Sequence, residues 1–159
     1  MNNVFLLTGG NIGDRLQYLQ SAANEIEGQA GMIVQKSSIY ETAAWGNTDQ
    51  QPFLNQVLEI NTNLTAERLL VTILDIEKTL GRERFERMGP RTIDIDIIFY
   101  SDQITSTATL QVPHPQLQNR RFVLTPLNEV ASEFIHPHLK KSVSQLLAEC
   151  SDSLEVKKL

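Results

Sequence analysis

Apolar residues recur along this chain at two spacings, and the changes from one spacing to the other predict its elements. Residues 4–7 (Val-Phe-Leu-Leu) are a short unbroken apolar run ended by Gly9-Gly10, which predicts a buried strand. From Asp14 the apolar positions Leu16, Leu19, Ala23, Ile26 and Ala30 keep a helical period. Asp14 can cap that helix, and Gly28 and Gly31 mark its end. Residues 32–41 carry Ile33, Val34, Ile39 and Tyr40 among polar neighbours, which predicts one long, partly exposed strand. Turn formers without a period make residues 43–52 a loop, and residues 53–62 alternate again as a strand. Thr65 caps a second helix with the face Leu69, Leu70, Ile73, Leu74, Ile76, Glu77 and Leu80, stopped by Gly81. A charged loop over 82–92 leads into the clearest strand, residues 93–100. Short extended pieces are expected at 103–104 and 110–112, and a helix at 143–149 precedes a charged tail without an evident role.

The order β-α-β-β-α-β over the first hundred residues is the pattern of a ferredoxin-like α+β domain. In that fold two helices cover one face of an antiparallel sheet, and the C-terminal segments would be additions to it. No repeat, low-complexity run or linker interrupts the pattern, so residues 1–159 are expected to form a single domain.

Composition narrows the class. Hydrophobic residues at 41% and charged residues at 21% suit a globular protein with a real core. The first residues lack a basic region and a long apolar run, so no signal peptide or membrane span is expected. One cysteine, Cys150, excludes an intrachain disulfide and a cysteine metal cluster. A cytoplasmic monomer is the resulting default. A net charge of −5 argues against nucleic acid as a partner. Yet Arg82, Arg84, Arg87 and Arg91 fall within ten positions, and Arg120-Arg121 form a second pair. A local cationic cluster on an acidic chain points to a small anion such as a nucleotide phosphate, with a solvated basic loop as the plainer alternative.

The strongest chemical signal is Gly89-Pro90-Arg91-Thr92-Ile93-Asp94-Ile95-Asp96-Ile97. Strand alternation puts Ile93, Ile95, Ile97 and Phe99 on one side and Asp94 with Asp96 on the other, their Cα atoms about 6–7 Å apart. Two carboxylates that close repel each other and resist desolvation, and a hard divalent cation removes both penalties. On spacing alone, a strand with one solvated face remains the alternative. Thr8-Gly9-Gly10-Asn11-Ile12-Gly13-Asp14 matches neither the P-loop nor G-x-G-x-x-G and is expected to be a strand-to-helix turn. Phe53 and Asn55 share a strand face near Trp45, an arrangement able to hold a flat heterocycle as well as to serve the core. The three histidines lack the partners of a zinc site, and His136 and His138 are expected on the surface.

Taken together, the chain resembles the 6-hydroxymethyl-7,8-dihydropterin pyrophosphokinases of the folate pathway. The matching stretches are the G-G-N-I-G-D turn, Tyr40-Glu41-Thr42 with Trp45-Gly46, Phe53-Leu54-Asn55, and Ile76-Glu77 with Gly81-Arg82. Further along come G-P-R-T-I-D-I-D-I, V-P-H-P at 112–115, and Asn119-Arg120-Arg121-Phe122. The resemblance implies transfer of the pyrophosphoryl group of ATP to the pterin hydroxymethyl oxygen, leaving AMP. It implies two Mg²⁺ ions on Asp94 and Asp96, with Arg82 and Arg91 as catalytic arginines. Glu77, Arg84, Ile97, His114 and Arg120 would contact the nucleotide. Phe53 and Phe122 would sandwich the pterin, with Thr42 and Asn55 bonding its polar edge. The chain departs from the family's usual residues at Ala43-Ala44, Met88, Thr109 and Gln111.

Overall fold

The structure, a computed structural model, describes residues 1–43, 50–81 and 92–159. In chain order the elements are β1 (Asn2–Gly10), α1 (Arg15–Gln29), β2 (Met32–Lys36), β3 (Tyr40–Thr42), β4 (Phe53–Thr62), α2 (Ala66–Thr79) and β5 (Asp94–Tyr100). A small hairpin of β6 (Thr105–Ser106) and β7 (Gln111–Val112) follows, then α3 (Arg121–Ala131), α4 (Val143–Glu149) and β8 (Val156–Lys158). The expected caps are present. The Asp14 carboxylate accepts from the Gln17 N–H at 3.1 Å, and the Thr65 hydroxyl accepts from the Arg68 N–H at 3.2 Å.

The main sheet runs β5-β1-β4-β3-β8, with β2 also paired to β4, and its neighbours are antiparallel. With β2 and β3 counted as one broken strand, this is the ferredoxin-like order. The single strand expected over 32–41 breaks because the chain leaves the ladder after Ser37, whose N–H still donates to the Val57 carbonyl at 2.9 Å. The Ser37 hydroxyl accepts from the Val57 N–H, and the Ser38 N–H turns to the Glu129 carboxylate on α3. The first strand runs longer than expected: Gly9 and Gly10 continue pairing with Asn55 and Leu54 on β4.

Each sheet face carries a core. On one side α1 and α2 bury Leu19, Ile26, Leu69, Ile73 and Ile76 against Val4, Leu6, Leu58 and Ile60. On the other, α3 and α4 bury Leu124, Leu127, Val143 and Leu146 against Phe5, Leu7 and Val57. Leu16 and Leu74, expected on the helical faces, are 53% and 39% exposed. Gly28 sits inside α1 with open space around it and does not stop the helix.

Phe99 does not share a side with Ile93, Ile95 and Ile97. Phe5 pairs with Phe99 and Leu6 with Ile97, so Ile98 is an extra residue in β5. This bulge turns both Ile98 and Phe99 toward α3 and α4. The extended piece expected at 103–104 forms two residues later as β6. The whole of α3, which holds Pro126 in its interior, lay in a stretch that periodicity left unassigned. His136 is also not a surface residue. It is 4% exposed, its ring stands edge-on to Phe99, and Nδ1 accepts from the N–H groups of His138 and Leu139. His138 is exposed, as expected.

Candidate active site

Strand register assembles the site. Residues directly opposite each other on antiparallel strands point to the same face. Tyr40 lies opposite Asn55, Asn55 opposite Gly9, and Gly9 opposite Asp94, which makes one row across four strands. A neighbouring row runs Val57, Leu7, Asp96. Beyond the first row, Thr42 lies opposite Phe53. Thr42, Phe53, Asn55, Asp94 and Asp96 therefore occupy one face at one end of the sheet, the face that α3 covers. Both aspartates are half-buried, and Ile95 between them goes into the opposite core. Two hard oxygen donors partly withdrawn from water suit Mg²⁺, which takes one or two carboxylates and fills its shell with phosphate and water. Among the described residues no group of three or more His, Cys, Asp or Glu side chains gathers as a metal cluster.

Gly9 is the reason the row is open. A Cβ at this position would stand 2.1 Å from Asn55 Oδ1 and 2.9 Å from the Leu54 carbonyl oxygen. The Asn55 side chain lies across the bare backbone, 6% exposed. Thr42 is 3% exposed, and its hydroxyl has no hydrogen-bond partner among the described residues. A buried hydroxyl in that condition is costly unless a ligand completes it.

The turn that follows Gly9 holds both stems of the 43–52 loop. Asn11, 2% exposed, donates from Nδ2 to Gln50 Oε1 at 2.8 Å and to the Gln51 carbonyl at 3.0 Å. Arg15 Nη1 bonds Glu41 Oε2 at 2.8 Å, in β3, and the Pro52 carbonyl at 2.9 Å, just before β4. The sequence showed this motif but not its target, which lies some 40 residues away in the chain.

A cleft of about 290 Å³ opens beside the aspartates, lined by Asp96, Ile97, His114 and the β6–β7 hairpin residues Thr109 and Gln111. Two positions that depart from the resembled family thus face this cleft. The imidazole of His114 accepts from the Gln116 N–H through Nδ1, so its proton sits on Nε2 as a donor. Burial pushes its pKa down to about 4, helped by the charge of Arg120 and opposed by Asp94. Arg120 ends the turn before α3, with its guanidinium 5.9 Å from the centre of the Phe122 ring. Glu77 is 3% exposed, and its Oε2 accepts from the Ile95 N–H at 2.7 Å. This carboxylate therefore anchors β5 between the two aspartates. Arg82, Arg84, Arg87, Arg91, Met88, Ala44 and Trp45 lie outside the described residues.

Comparison with known proteins gives one consistent result. A family model described as 7,8-dihydro-6-hydroxymethylpterin-pyrophosphokinase (HPPK) matches residues 5–132. The 2-amino-4-hydroxy-6-hydroxymethyldihydropteridine pyrophosphokinase of Aquifex aeolicus is 40% identical over 149 residues, covering 94% of this chain and 92% of that protein. The protein of the same name from Bacillus subtilis is 44% identical over 135 residues, covering 84% and 81%. Among solved structures, wild-type Plasmodium falciparum HPPK-DHPS with SDX-DHP superposes with a TM-score of 0.74 at 18% identity. It covers 94% of this chain, which spans only 43% of that longer one, and the likeness shows the fold.

Proposed function

The chain belongs to the 7,8-dihydro-6-hydroxymethylpterin-pyrophosphokinase family, and from that premise we propose how its residues divide the reaction. The activity is pyrophosphoryl transfer to 6-hydroxymethyl-7,8-dihydropterin in folate biosynthesis, with ATP as donor. The pterin hydroxymethyl oxygen forms a bond to the β-phosphorus of ATP. The bond from that phosphorus to the α–β bridging oxygen breaks, AMP departs with the electron pair, and the hydroxyl proton passes to solvent.

Phe53 and Phe122 hold the flat ring by stacking, and the Thr42 hydroxyl and Asn55 amide bond its polar edge. The buried Thr42 hydroxyl, without a hydrogen-bond partner among the described residues, supports this assignment. Asp94 and Asp96 hold Mg²⁺, two ions in the full complex. Bound there, the metal neutralises phosphate charge and polarises the transferring group. Arg82 and Arg91 are the proposed catalytic arginines, stabilising charge on the transferring phosphates. Arg84, Ile97, His114 and Arg120 contact the nucleotide, the last three from around the cleft and the start of α3. Glu77 is proposed to contact the nucleotide as well, while its bond to Ile95 holds the metal strand in place. The proposed working unit is one chain of a single domain, acting in the cytoplasm.

The observation that carries this reading is the in-register row of Asn55, Gly9 and Asp94. It sets Asn55 on β4 and Asp94 on β5, the two strands that flank β1, with only the bare backbone of Gly9 between them, which supports an amide for the ring beside a carboxylate for the metal. A non-catalytic pterin or nucleotide sensor is not favoured, since the similar proteins are named as pyrophosphokinases. The direct test is incubation with ATP, Mg²⁺ and the reduced pterin alcohol. AMP and the pterin diphosphate should accumulate together; ADP in place of AMP would show an ordinary γ-phosphoryl kinase.

A further inference from the structure

The residues that follow α4 take no part in the chemistry above, yet they are fastened at two points that flank the proposed pterin slot. The first is Arg121, which lies between Arg120 and Phe122. Its backbone N–H donates to Asp152 Oδ2 at 3.0 Å, Nε to the Asp152 carbonyl at 2.8 Å, and Nη2 to the Cys150 carbonyl at 3.0 Å. Helix α3 has no side-chain cap of its own. The Asp152 carboxylate supplies one from far along the chain, placing a negative charge at the positive end of the helix. The other oxygen, Oδ1, accepts from the Leu154 N–H at 3.0 Å and turns the chain toward the sheet edge.

The second point is β3. Val156, Lys157 and Lys158 pair with Thr42, Glu41 and Tyr40, and the Leu159 N–H donates to the Ile39 carbonyl at 2.9 Å. A strand of three residues is too short to hold its position by one ladder alone. β8 completes its outer edge. From beneath, Glu129 on α3 accepts from the Ser38 N–H and, at 2.6 Å, from the Tyr40 hydroxyl. The segment 150–158 therefore joins the start of α3, which carries Phe122, to the strand that carries Thr42.

We propose that residues 150–158 are a strap that fixes the separation between Phe122 and the Thr42–Phe53 strand pair, and so sets affinity for the pterin ring, with Arg121 and Asp152 as positioning residues. The inference rests on the pterin slot proposed above. A stacked ring needs its two walls at one spacing, and a wall free to shift weakens binding of the ring more than it weakens the phosphate end of the site, which the strap meets only through Arg120.

The test is steady-state kinetics on both substrates for Asp152→Ala, Asp152→Asn, a chain ended after Ser153, and Phe122→Ala, with melting temperatures alongside. Asp152→Ala and the shortened chain should raise KM for the pterin about tenfold while KM for ATP stays within about twofold. Asp152→Asn, which keeps an acceptor oxygen, should recover most of the pterin KM. Should the shortened chain not fold, Asp152→Ala decides the matter alone. An unchanged pterin KM in Asp152→Ala, or equal rises for both substrates, overturns the strap. If Phe122→Ala also leaves the pterin KM unchanged, the slot itself is wrong; if only Phe122→Ala raises it, the slot stands and the strap falls.

Discussion

Gly9 is needed for what it lacks. Its neighbours across the ladder are Asn55 and Asp94, and its missing side chain leaves room for the Asn55 amide to lie over the strand. In Gly9→Ala the new methyl meets Asn55 Oδ1, a side-chain end, at 2.1 Å and the Leu54 carbonyl oxygen, which is β4 backbone, at 2.9 Å. The amide must leave its place. We expect a stability loss of about 1–3 kcal/mol together with a raised pterin KM. A variant with wild-type pterin KM would show that Asn55 is not a ring contact.

At the scale of elements, the bulge at Ile98 and the turn around His136 together complete the second core. Phe99 stacks 4.6 Å from Phe134 and meets His136 edge-on at 5.5 Å. Burial, with His138 adding a smaller effect, pushes the His136 pKa below its ordinary value of 6.5. The folded protein keeps this imidazole neutral, because a proton on Nδ1 would cost both accepted backbone bonds. Between the folded pKa and 6.5 the unfolded chain binds a proton that the folded chain does not, so stability rises with pH across that window. The contribution is complete above 6.5 and is lost as pH falls through the folded value. His114, lowered to about 4, acts in the same direction. Melting temperature should therefore fall on acidification below 6.5, and His136→Asn should show a shallower fall than the parent. Parallel curves for the two would mean that His136 does not titrate in that range.

For the whole molecule, the sheet is a partition. Helices α1 and α2 close one side and α3 and α4 the other, while the residues proposed for ring and metal lie at one end of the second side. Because the site draws on β1, β3, β4, β5 and α3, Mg²⁺-ATP bound there should stabilise the fold as a unit. At a hundredfold excess over Kd the gain is about 2.7 kcal/mol, read as a rise in melting temperature that requires both magnesium and nucleotide. Asp96→Asn should remove the magnesium-dependent part and lower kcat about a thousandfold while the chain stays folded. An unaltered rate in that variant would remove the metal assignment.

Much of this was legible in the residue order, because local rules suffice for it. Hydrophobic period and capping residues set α1, β4, α2 and α4 nearly to their ends, and alternation alone placed Asp94 and Asp96 on a common face. The V-P-H-P and Arg-Arg-Phe motifs pointed to the nucleotide and ring side through resemblance. Other features depended on partners distant in the chain and carried no local sign. Helix α3 forms around an interior proline because its apolar face is buried against the sheet. His136 is buried because its ring fills a gap beside Phe99. The meeting of Gly9 with Asn55 and Asp94 is a matter of register, which the hydrogen-bond ladders settle only once three separated strands have come together.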